Sequence, residues 1–212
     1  KIVDLPGTSS LLSTSLDEEV ARDFILFGQP DVTIVVVDAT RLERNLNLVL
    51  QILEITPRAV VCLNLMDEAH RHGLQVDDRR LARDLGVPVV PTSARQGDGM
   101  DALLQAIHEV ATGEVVGQPR HIRSESPAIH AALDALVPQL EATFPGLPNA
   151  RWVALRLLDG DERIMQAVQE GELGELQQPE IQRLEIGELE IAQPNRRQSP
   201  IPNLQSPQEP QP

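Results

Sequence analysis

Short runs of apolar residues alternate with amphipathic stretches over the first half of the chain. Three runs, at residues 32–37, 59–63 and 87–90, are rich in β-branched residues and show no polar alternation. This pattern is typical of strands that are buried on both faces of a parallel sheet. The three runs therefore predict three parallel strands.

Stretches with helical spacing follow each predicted strand. The first has apolar positions at Leu42, Leu46, Val49, Leu50 and Leu53, and the last at Leu103, Leu104, Ile107 and Val110. The stretch between them, 77–84, is polar and is followed by Gly86, a residue type that commonly ends helices. Alternation of strands and helices predicts an α/β domain with a doubly wound, mostly parallel sheet.

The pattern changes twice in the second half. Periodicity stops near 112–119, which predicts a linker, and returns with helical spacing from 126 to 168. Trp152 is expected to anchor the core of this small all-α subdomain, and Pro138 to kink or shorten its first helix. Pro, Gln, Asn and Ser then dominate, so a disordered tail is predicted, with a short marginal element at 181–191. The predicted domains are 1–112, 119–176 and 177–212.

The amino-acid composition and charge of the chain argue against some classes of binding partner. The 212 residues carry 32 acidic and 18 basic side chains, a formal net charge of -14, and aromatic residues make up 2%. Nucleic-acid binding needs clustered Lys and Arg or stacked aromatic rings, and this scarcity argues against a nucleic-acid partner. The chain has no apolar run of about 18 residues, the length that a membrane span needs. It begins with Lys, and we expect it to be part of a longer protein.

Cysteine and histidine add little chemistry. Cys62 is the single cysteine, so no disulfide framework exists, and its apolar neighbours predict a buried position. The five histidines are scattered without the spacing of a metal site.

Three short motifs follow predicted strands in order. Residues 1–7 are interpreted as a strand end that delivers Asp4-x-x-Gly7 into a loop. The second predicted strand is followed by Asn64-x-x-Asp67, and the third by Ser93-Ala94. Ligands bind at the carboxyl ends of the strands in open α/β sheets, so these motifs are expected to form one site.

The residue types in these motifs match a guanine nucleotide with Mg²⁺. The Asp67 carboxylate can accept from guanine N1–H and from the exocyclic amine, a pair of donors that adenine lacks. The Ala94 N–H can donate to guanine O6, while Asn64 ties the two loops together. On the phosphate side, Asp4 is expected to hold Mg²⁺ through a water molecule, and Gly7 to let the backbone approach a phosphate oxygen.

Longer segments carry a family resemblance. The stretches 4–10, 18–24, 30–32, 37–46, 64–69, 87–95 and 151–161 resemble the cytoplasmic part of the ferrous iron transport protein B (FeoB) family. The run Val-Asp-Ala-Thr-Arg-Leu-Glu-Arg-Asn-Leu at 37–46 is the most specific of them, and a local polar network of Asp38, Arg41, Glu43 and Arg44 is expected there. The segment 151–161 is similar to that family's helical, guanine-dissociation-inhibitor-like domain. The resemblance covers about residues 1–176.

The resemblance implies a site and a function. Asp4 and Gly7 fall in the third nucleotide-binding box, Asn64 and Asp67 in the fourth, Ser93 and Ala94 in the fifth, and residues 8–23 in the second switch. It implies a regulatory GTPase domain of a bacterial Fe²⁺ transporter, with GTP or GDP and Mg²⁺ as cofactors. The implied location is the cytoplasmic side of the inner membrane. The implied partner is the membrane-embedded permease domain of the intact protein, through which a homo-oligomer can also form.

Departures from the family pattern modify these expectations. No G-x-x-x-x-G-K-[ST] loop occurs, and in the family's fold the strand that feeds this loop lies between the strand ending at Asp4 and strand 32–37. We therefore expect an unpaired sheet edge and weak nucleotide binding by this chain. Thr8 stands where Ras-like enzymes have a water-positioning glutamine, so it is the candidate catalytic residue and hydrolysis should be slow. Leu65 replaces the common lysine and can still cover the base.

Two other functions stay open from the sequence. A soluble GTPase of ribosome assembly is disfavoured by the acidic balance and by the lack of an RNA-binding domain. A degenerate interaction module that has lost nucleotide binding is the alternative that is not an enzyme.

Overall fold

Three parallel strands form the centre of the fold. The computed structural model describes residues 1–11, 15–120, 126–171 and 173. The strands β1 (Thr33–Asp38), β2 (Ala59–Asn64) and β3 (Val89–Pro91) lie side by side in that order. Thr33 is opposite Ala59, and Val61 is opposite Val89. All three strands predicted from the apolar runs are confirmed.

Helices cover the central strand on both faces, which confirms the doubly wound architecture. Val60 and Cys62 of β2 belong to a cluster that includes Leu103 and Val110, which lie on helix α5 (Met100–Thr112). Leu63 of β2 points to the opposite face of the sheet and belongs to a larger core. The helices that contribute residues to this larger core include α1 (Leu16–Phe27), α2 (Leu42–Ile55) and α4 (Asp78–Leu85). Because both faces are covered, every residue from 59 to 63 is buried, including Cys62 as predicted.

Strand β1 is an edge of this sheet in the described part of the chain. Val35 and Val37 point into the larger core, but Ile34 and Val36 on the opposite face are 39% and 63% exposed. The expected edge is therefore present, and it carries an exposed apolar face.

The strand predicted at the start of the chain is wrong. Residues 1–7 have no regular secondary structure. A strand needs a neighbour that shares its hydrogen bonds, and the sheet described here pairs only β1 with β2 and β2 with β3. A helix holds the chain just after this segment, where the Leu11 N–H donates to Gln51 Oε1 of α2 at 2.6 Å.

The linker predicted near 112–119 runs close to the end of α4. Gly86 ends that helix with a φ of +76°, and the Gln118 N–H donates to its carbonyl oxygen at 2.8 Å. A Cβ at Gly86 would collide with the Gln118 carbonyl oxygen. Glycine is therefore required here for its backbone conformation and for the close approach.

In the described residues of the predicted all-α part lie the helices α6 (Pro127–Thr143), α7 (Ala150–Leu158) and α8 (Glu162–Glu170). Trp152 is buried, as expected. Pro138, predicted to kink or shorten the first helix, does not shorten it, because α6 continues to Thr143, and the kink stays a prediction. Buried Leu133 and Leu140 lie on either side of Pro138, and their packing offsets the lost backbone hydrogen bond. The tail predicted at 177–212 lies outside the described residues, as does its element at 181–191.

Among the described residues, polar contacts of Arg22 and of Asn149 join the helical part to the α/β part. Arg22 of α1 is fully buried, and its Nε and Nη1 pair with Asp23 at 3.0 Å and with Asp161 at 3.2 Å. Asp161 also caps the start of α8. At the other contact, Asn149 Nδ2 donates to the carbonyl oxygens of Glu54 and Ile55 at the end of α2, both at 2.8 Å. The helical part is thus tied both to α1 and to α2.

The buried Asp23 carboxyl should make stability depend on pH. Burial raises the pKa of Asp23 above its usual range, and Arg22 offsets this only in part. The folded form therefore binds the proton more tightly than the unfolded form, so this contribution to stability is lost as pH rises from about 4 through the raised pKa. In Asp23→Asn that loss should be absent. Urea unfolding between about pH 3 and pH 7 measures it, with exposed Asp84→Asn as the control, and equal pH slopes in wild type and Asp23→Asn would contradict the assignment.

Candidate nucleotide-binding site

The Asn64-x-x-Asp67 motif lies where β2 passes into a short helix. Leu65 adopts a left-handed conformation, with φ +63° and ψ +33°, and α3 (Met66–Arg71) begins immediately after it. This conformation is uncommon for leucine and costs on the order of 1–3 kcal/mol. The Met66 N–H donates to the Thr92 carbonyl oxygen at 3.1 Å and so joins the start of α3 to the segment that follows β3. Asp67 is thereby placed in the first turn of α3.

Asn64 joins the two loops, as the sequence predicted. Its Oδ1 accepts from the Ala94 N–H at 3.1 Å and from the Thr92 hydroxyl at 3.3 Å. The Ala94 N–H, expected to serve guanine O6, has this internal acceptor in the structure.

Asp67 completes the cluster. Its N–H donates to the Ser93 hydroxyl at 3.2 Å. Its carboxylate Oδ2 accepts from Arg71 Nη2 at 3.0 Å and from Gln96 Nε2 at 3.2 Å, and the side chain is 21% exposed. The structure therefore brings together Asn64, Asp67, Ser93 and Ala94, four residues that are 30 positions apart at most.

The loop after β3 is closed on itself. Ser93 pairs with Asp98 in an isolated antiparallel bridge, where the Ser93 N–H donates to the Asp98 carbonyl oxygen at 3.0 Å. Gly99 follows with a φ of +77°, and a Cβ there would collide with the Pro91 carbonyl oxygen. The loop thus returns to the strand end and holds Ser93 and Ala94 beside Asn64.

The run at residues 37–46, the most specific part of the family resemblance, contains a short turn that packs against α3 of the candidate site. The Asp38 carboxylate accepts from Thr40 N–H at 2.8 Å and from the Thr40 hydroxyl at 2.6 Å, and Asn45 Nδ2 donates to the Arg41 carbonyl oxygen at 3.1 Å. These bonds stabilise a short 3₁₀ turn, Ala39–Arg41, that packs against α3. The expected network among charged side chains is therefore corrected: Thr40 and Asn45 partner Asp38 and the backbone, because short side chains reach the turn's N–H and carbonyl groups directly.

The three predicted phosphate-side residues lie in the irregular first segment. Asp4 and Gly7 are exposed, and the space that a Cβ of Gly7 would enter is open. The Thr8 hydroxyl donates to the Ser10 carbonyl oxygen and accepts from the Ser10 N–H. In the part of the chain that the structure describes, no hydrogen bond joins these three residues to the Asn64 cluster, so their roles stay predictions.

Sequence reasoning missed three participants in the cluster. Thr92 and Gln96 bond directly to Asn64 and Asp67, and Arg71 pairs with both Asp67 and Glu68. The spacing of Arg71, three and four residues after two acids, was a usable helical signal. Gln96 had no comparable signal because it reaches Asp67 from a separate loop. No group of three or more His, Cys, Asp or Glu suited to a metal ion occurs among the residues that the structure describes.

The fold and the cluster together define a class. A parallel sheet with Asn64 and Asp67 after β2 and with Ser93 and Ala94 after β3 has the arrangement of a G domain, and a helical module follows it. Within the described ranges, no helix has both the length and the apolar character of a membrane span.

Comparison with known proteins identifies the family. Residues 1–107 match the family model described as "Ferrous iron transport protein B", and residues 126–190 match "FeoB cytosolic helical domain". The chain belongs to the FeoB family. It is 39% identical over 164 residues to the Fe(2+) transporter FeoB of Escherichia coli K12, which corresponds to 76% of this chain and 21% of that protein. The chain thus spans about a fifth of the length of the curated relatives that it matches.

Solved structures support the same assignment. The cytosolic domain of the T. maritima FeoB iron transporter in a GDP form is similar with a TM-score of 0.69 and 33% identity, over 84% of this chain and 67% of that one. The FeoB G-domain from Methanococcus jannaschii has a TM-score of 0.51 and 44% identity, over 52% of this chain and 70% of that one. The first likeness extends over both the α/β part and the helical part.

Proposed function

We propose that this chain supplies the guanine-recognising part and the helical module of a GTPase that regulates ferrous iron transport. The observation that carries the proposal is the cluster in which Asn64 Oδ1 accepts from Ala94 N–H and Asp67 N–H donates to Ser93 Oγ. The Asp67 carboxylate offers acceptors for the N1–H and exocyclic amine of guanine, and the loop N–H offers a donor for its O6. Adenine does not present this combination of donors and acceptor. Family membership favours this function over a GTPase of ribosome assembly.

The cofactors of the intact protein are GTP or GDP with Mg²⁺. The exposed Asp4 carboxylate has the hard oxygen chemistry that Mg²⁺ prefers, and it would hold the ion through water. The open space at Gly7 fits the approach of a phosphate oxygen to the backbone. Mg²⁺, when bound, neutralises charge that develops on the transferred phosphoryl group.

The residues of this chain contribute binding and orientation. Asp67 and Ala94 select the base, Asn64 keeps their loops together, and Leu65, 39% exposed, covers one face of the base.

In the intact protein, water attacks the terminal phosphate in line with the leaving oxygen. We place that protein at the cytoplasmic side of the inner membrane, where the helical module passes the nucleotide state to the permease domain. Domains at 1–112 and 119–176 are the proposed units of this relay.

The arrangement of Thr8 argues against a strong dependence of hydrolysis on its side chain. Its hydroxyl already serves the backbone of Ser10 within the same loop. We expect Thr8→Ala in the intact protein to slow GTP turnover less than about tenfold, an effect below about 1.4 kcal/mol on the barrier. Single-turnover phosphate release measures this, with Thr8→Ser as the matched variant that keeps the hydroxyl. A much larger loss in Thr8→Ala with full activity in Thr8→Ser would make Thr8 the group that positions the water.

The proposal is tested on the intact gene product. The protein to test carries this chain together with a G-x-x-x-x-G-K-[ST] phosphate-binding segment. Protein that includes this segment should bind fluorescent GDP and lose it to unlabelled GDP but not to ADP. Equal displacement by ADP would contradict guanine recognition.

A further inference from the structure

The Asp67 carboxylate is already engaged by two side chains. Arg71 Nη2 and Gln96 Nε2 donate to the same oxygen, Oδ2, at 3.0 Å and 3.2 Å. They reach it from different elements, since Arg71 lies one turn further along α3 and Gln96 belongs to the exposed loop after β3. Two donors therefore converge on one carboxylate oxygen at the candidate base site.

Such an oxygen has no capacity left for a third strong donor. A carboxylate offers about four lone-pair sites, two on each oxygen. Guanine presents two donors side by side, N1–H and the exocyclic amine, and the pair fits a carboxylate when each donor takes one oxygen. The donor that falls on Oδ2 must displace one of the two side chains.

Gln96 is the donor that gives way more easily. The Arg71 bond is charged, and the same nitrogen also pairs with Glu68 Oε1 at 2.7 Å, so Arg71 is held in place from two sides. The Gln96 donor is an uncharged amide and its bond is longer, and its NH₂ group is chemically similar to the exocyclic amine of guanine. Gln96 thus occupies an acceptor position on Oδ2 that a donor of the base would need.

The backbone donor of the site is also satisfied internally. The Ala94 N–H donates to Asn64 Oδ1 at 3.1 Å. Binding of guanine is therefore an exchange of hydrogen bonds, which yields less free energy than formation of new ones.

We propose that the Gln96 side-chain amide competes with the exocyclic amine of guanine for Asp67 Oδ2. This inference rests on the proposed base-binding role of Asp67. Competition weakens guanine binding and leaves hypoxanthine binding unchanged, because hypoxanthine has the N1–H donor but lacks the amine. Gln96 thereby lowers the preference of the site for guanine over hypoxanthine.

The test compares GMP with IMP on the 212-residue chain, because monophosphates depend least on a phosphate-binding loop. Dissociation constants are taken from ¹⁵N–¹H shifts of the Asp67, Ser93 and Ala94 amides during titration. In Gln96→Ala we expect GMP to bind about fivefold more tightly, equivalent to about 1 kcal/mol for the hydrogen bond that no longer has to be exchanged, and IMP to bind as before. In wild type, the Gln96 side-chain NH₂ signal should shift with GMP and not with IMP.

The matched control is Gln105→Ala. Gln105 is also an exposed glutamine with one side-chain hydrogen bond, to Glu109 at 2.8 Å on α5, and its removal should change neither affinity. Two results for Gln96→Ala would overturn the inference: an equal change in GMP and IMP affinity, or weaker GMP binding. In either case a preference for GMP over AMP would show that the base site itself still stands. Equal binding of GMP and AMP by the wild-type chain would instead overturn the base site itself, and the inference with it.

Discussion

Replacing Arg22 with methionine should cost the protein about 3–5 kcal/mol of folding stability, the usual effect of removing one partner from a buried ion pair. The guanidinium is fully buried between Asp23 and Asp161, whose side chains are 14% and 11% exposed. Methionine would fill much of the space but leave both carboxylates without their cation. Because Asp161 lies at the start of α8, the loss should also loosen the helical part from α1.

Chemical unfolding of Arg22→Met and wild type measures the difference. Arg80→Met is the control, since the Arg80 side chain is 73% exposed and its pair with Asp84 is long, at 3.7 Å. This substitution should lower the free energy of unfolding by less than about 1 kcal/mol. The triple variant Arg22→Met, Asp23→Asn, Asp161→Asn removes the stranded charges and should recover much of the loss. A cost below about 1 kcal/mol for Arg22→Met would mean that the buried pair does not hold the two parts together.

Asp67→Asn should lower the affinity of the intact protein for guanine nucleotides by about 100-fold, or roughly 3 kcal/mol. The carboxylate is proposed to accept two donors from guanine, whereas an asparagine amide has one acceptor atom and presents its own NH₂ group. Xanthine carries a carbonyl oxygen in place of the exocyclic amine, so the variant should bind xanthine nucleotides more tightly than wild type does.

Competition between GDP and XDP for a fluorescent nucleotide gives both affinities. Asp84→Asn, at an exposed carboxylate 61% accessible on α4, is the matched control and should leave them unchanged. Unchanged GDP affinity in Asp67→Asn would refute the role assigned to this carboxylate.

The sequence predicted those elements whose local pattern and tertiary environment agree. The unbroken apolar run of β2 anticipated a strand covered on both faces, and it is buried from residue 59 to residue 63. Gly86 ended its helix as expected because the left-handed conformation there favours glycine. The Asn64 contact to the second loop followed from the position of both motifs at the carboxyl ends of neighbouring strands.

Other features depended on partners that periodicity does not report. Residues 1–7 form no strand, since the sheet described here pairs them with no neighbour. Helix α6 continues through Pro138 because packing on either side outweighs the local penalty. At the site, the Gln96 contact joins a loop to Asp67 of α3, 29 positions away, and the buried Arg22 pairs with a residue 139 positions away. Long-range polar contacts of this kind leave no signature in one segment.

Titration of the wild-type chain with GMP and AMP tests the guanine site most directly. We expect GMP to shift the backbone amide signals of Asp67, Ser93 and Ala94, and AMP at the same concentration to leave them in place. Equal shifts with AMP, or GMP-induced shifts confined to other parts of the chain, would contradict this expectation.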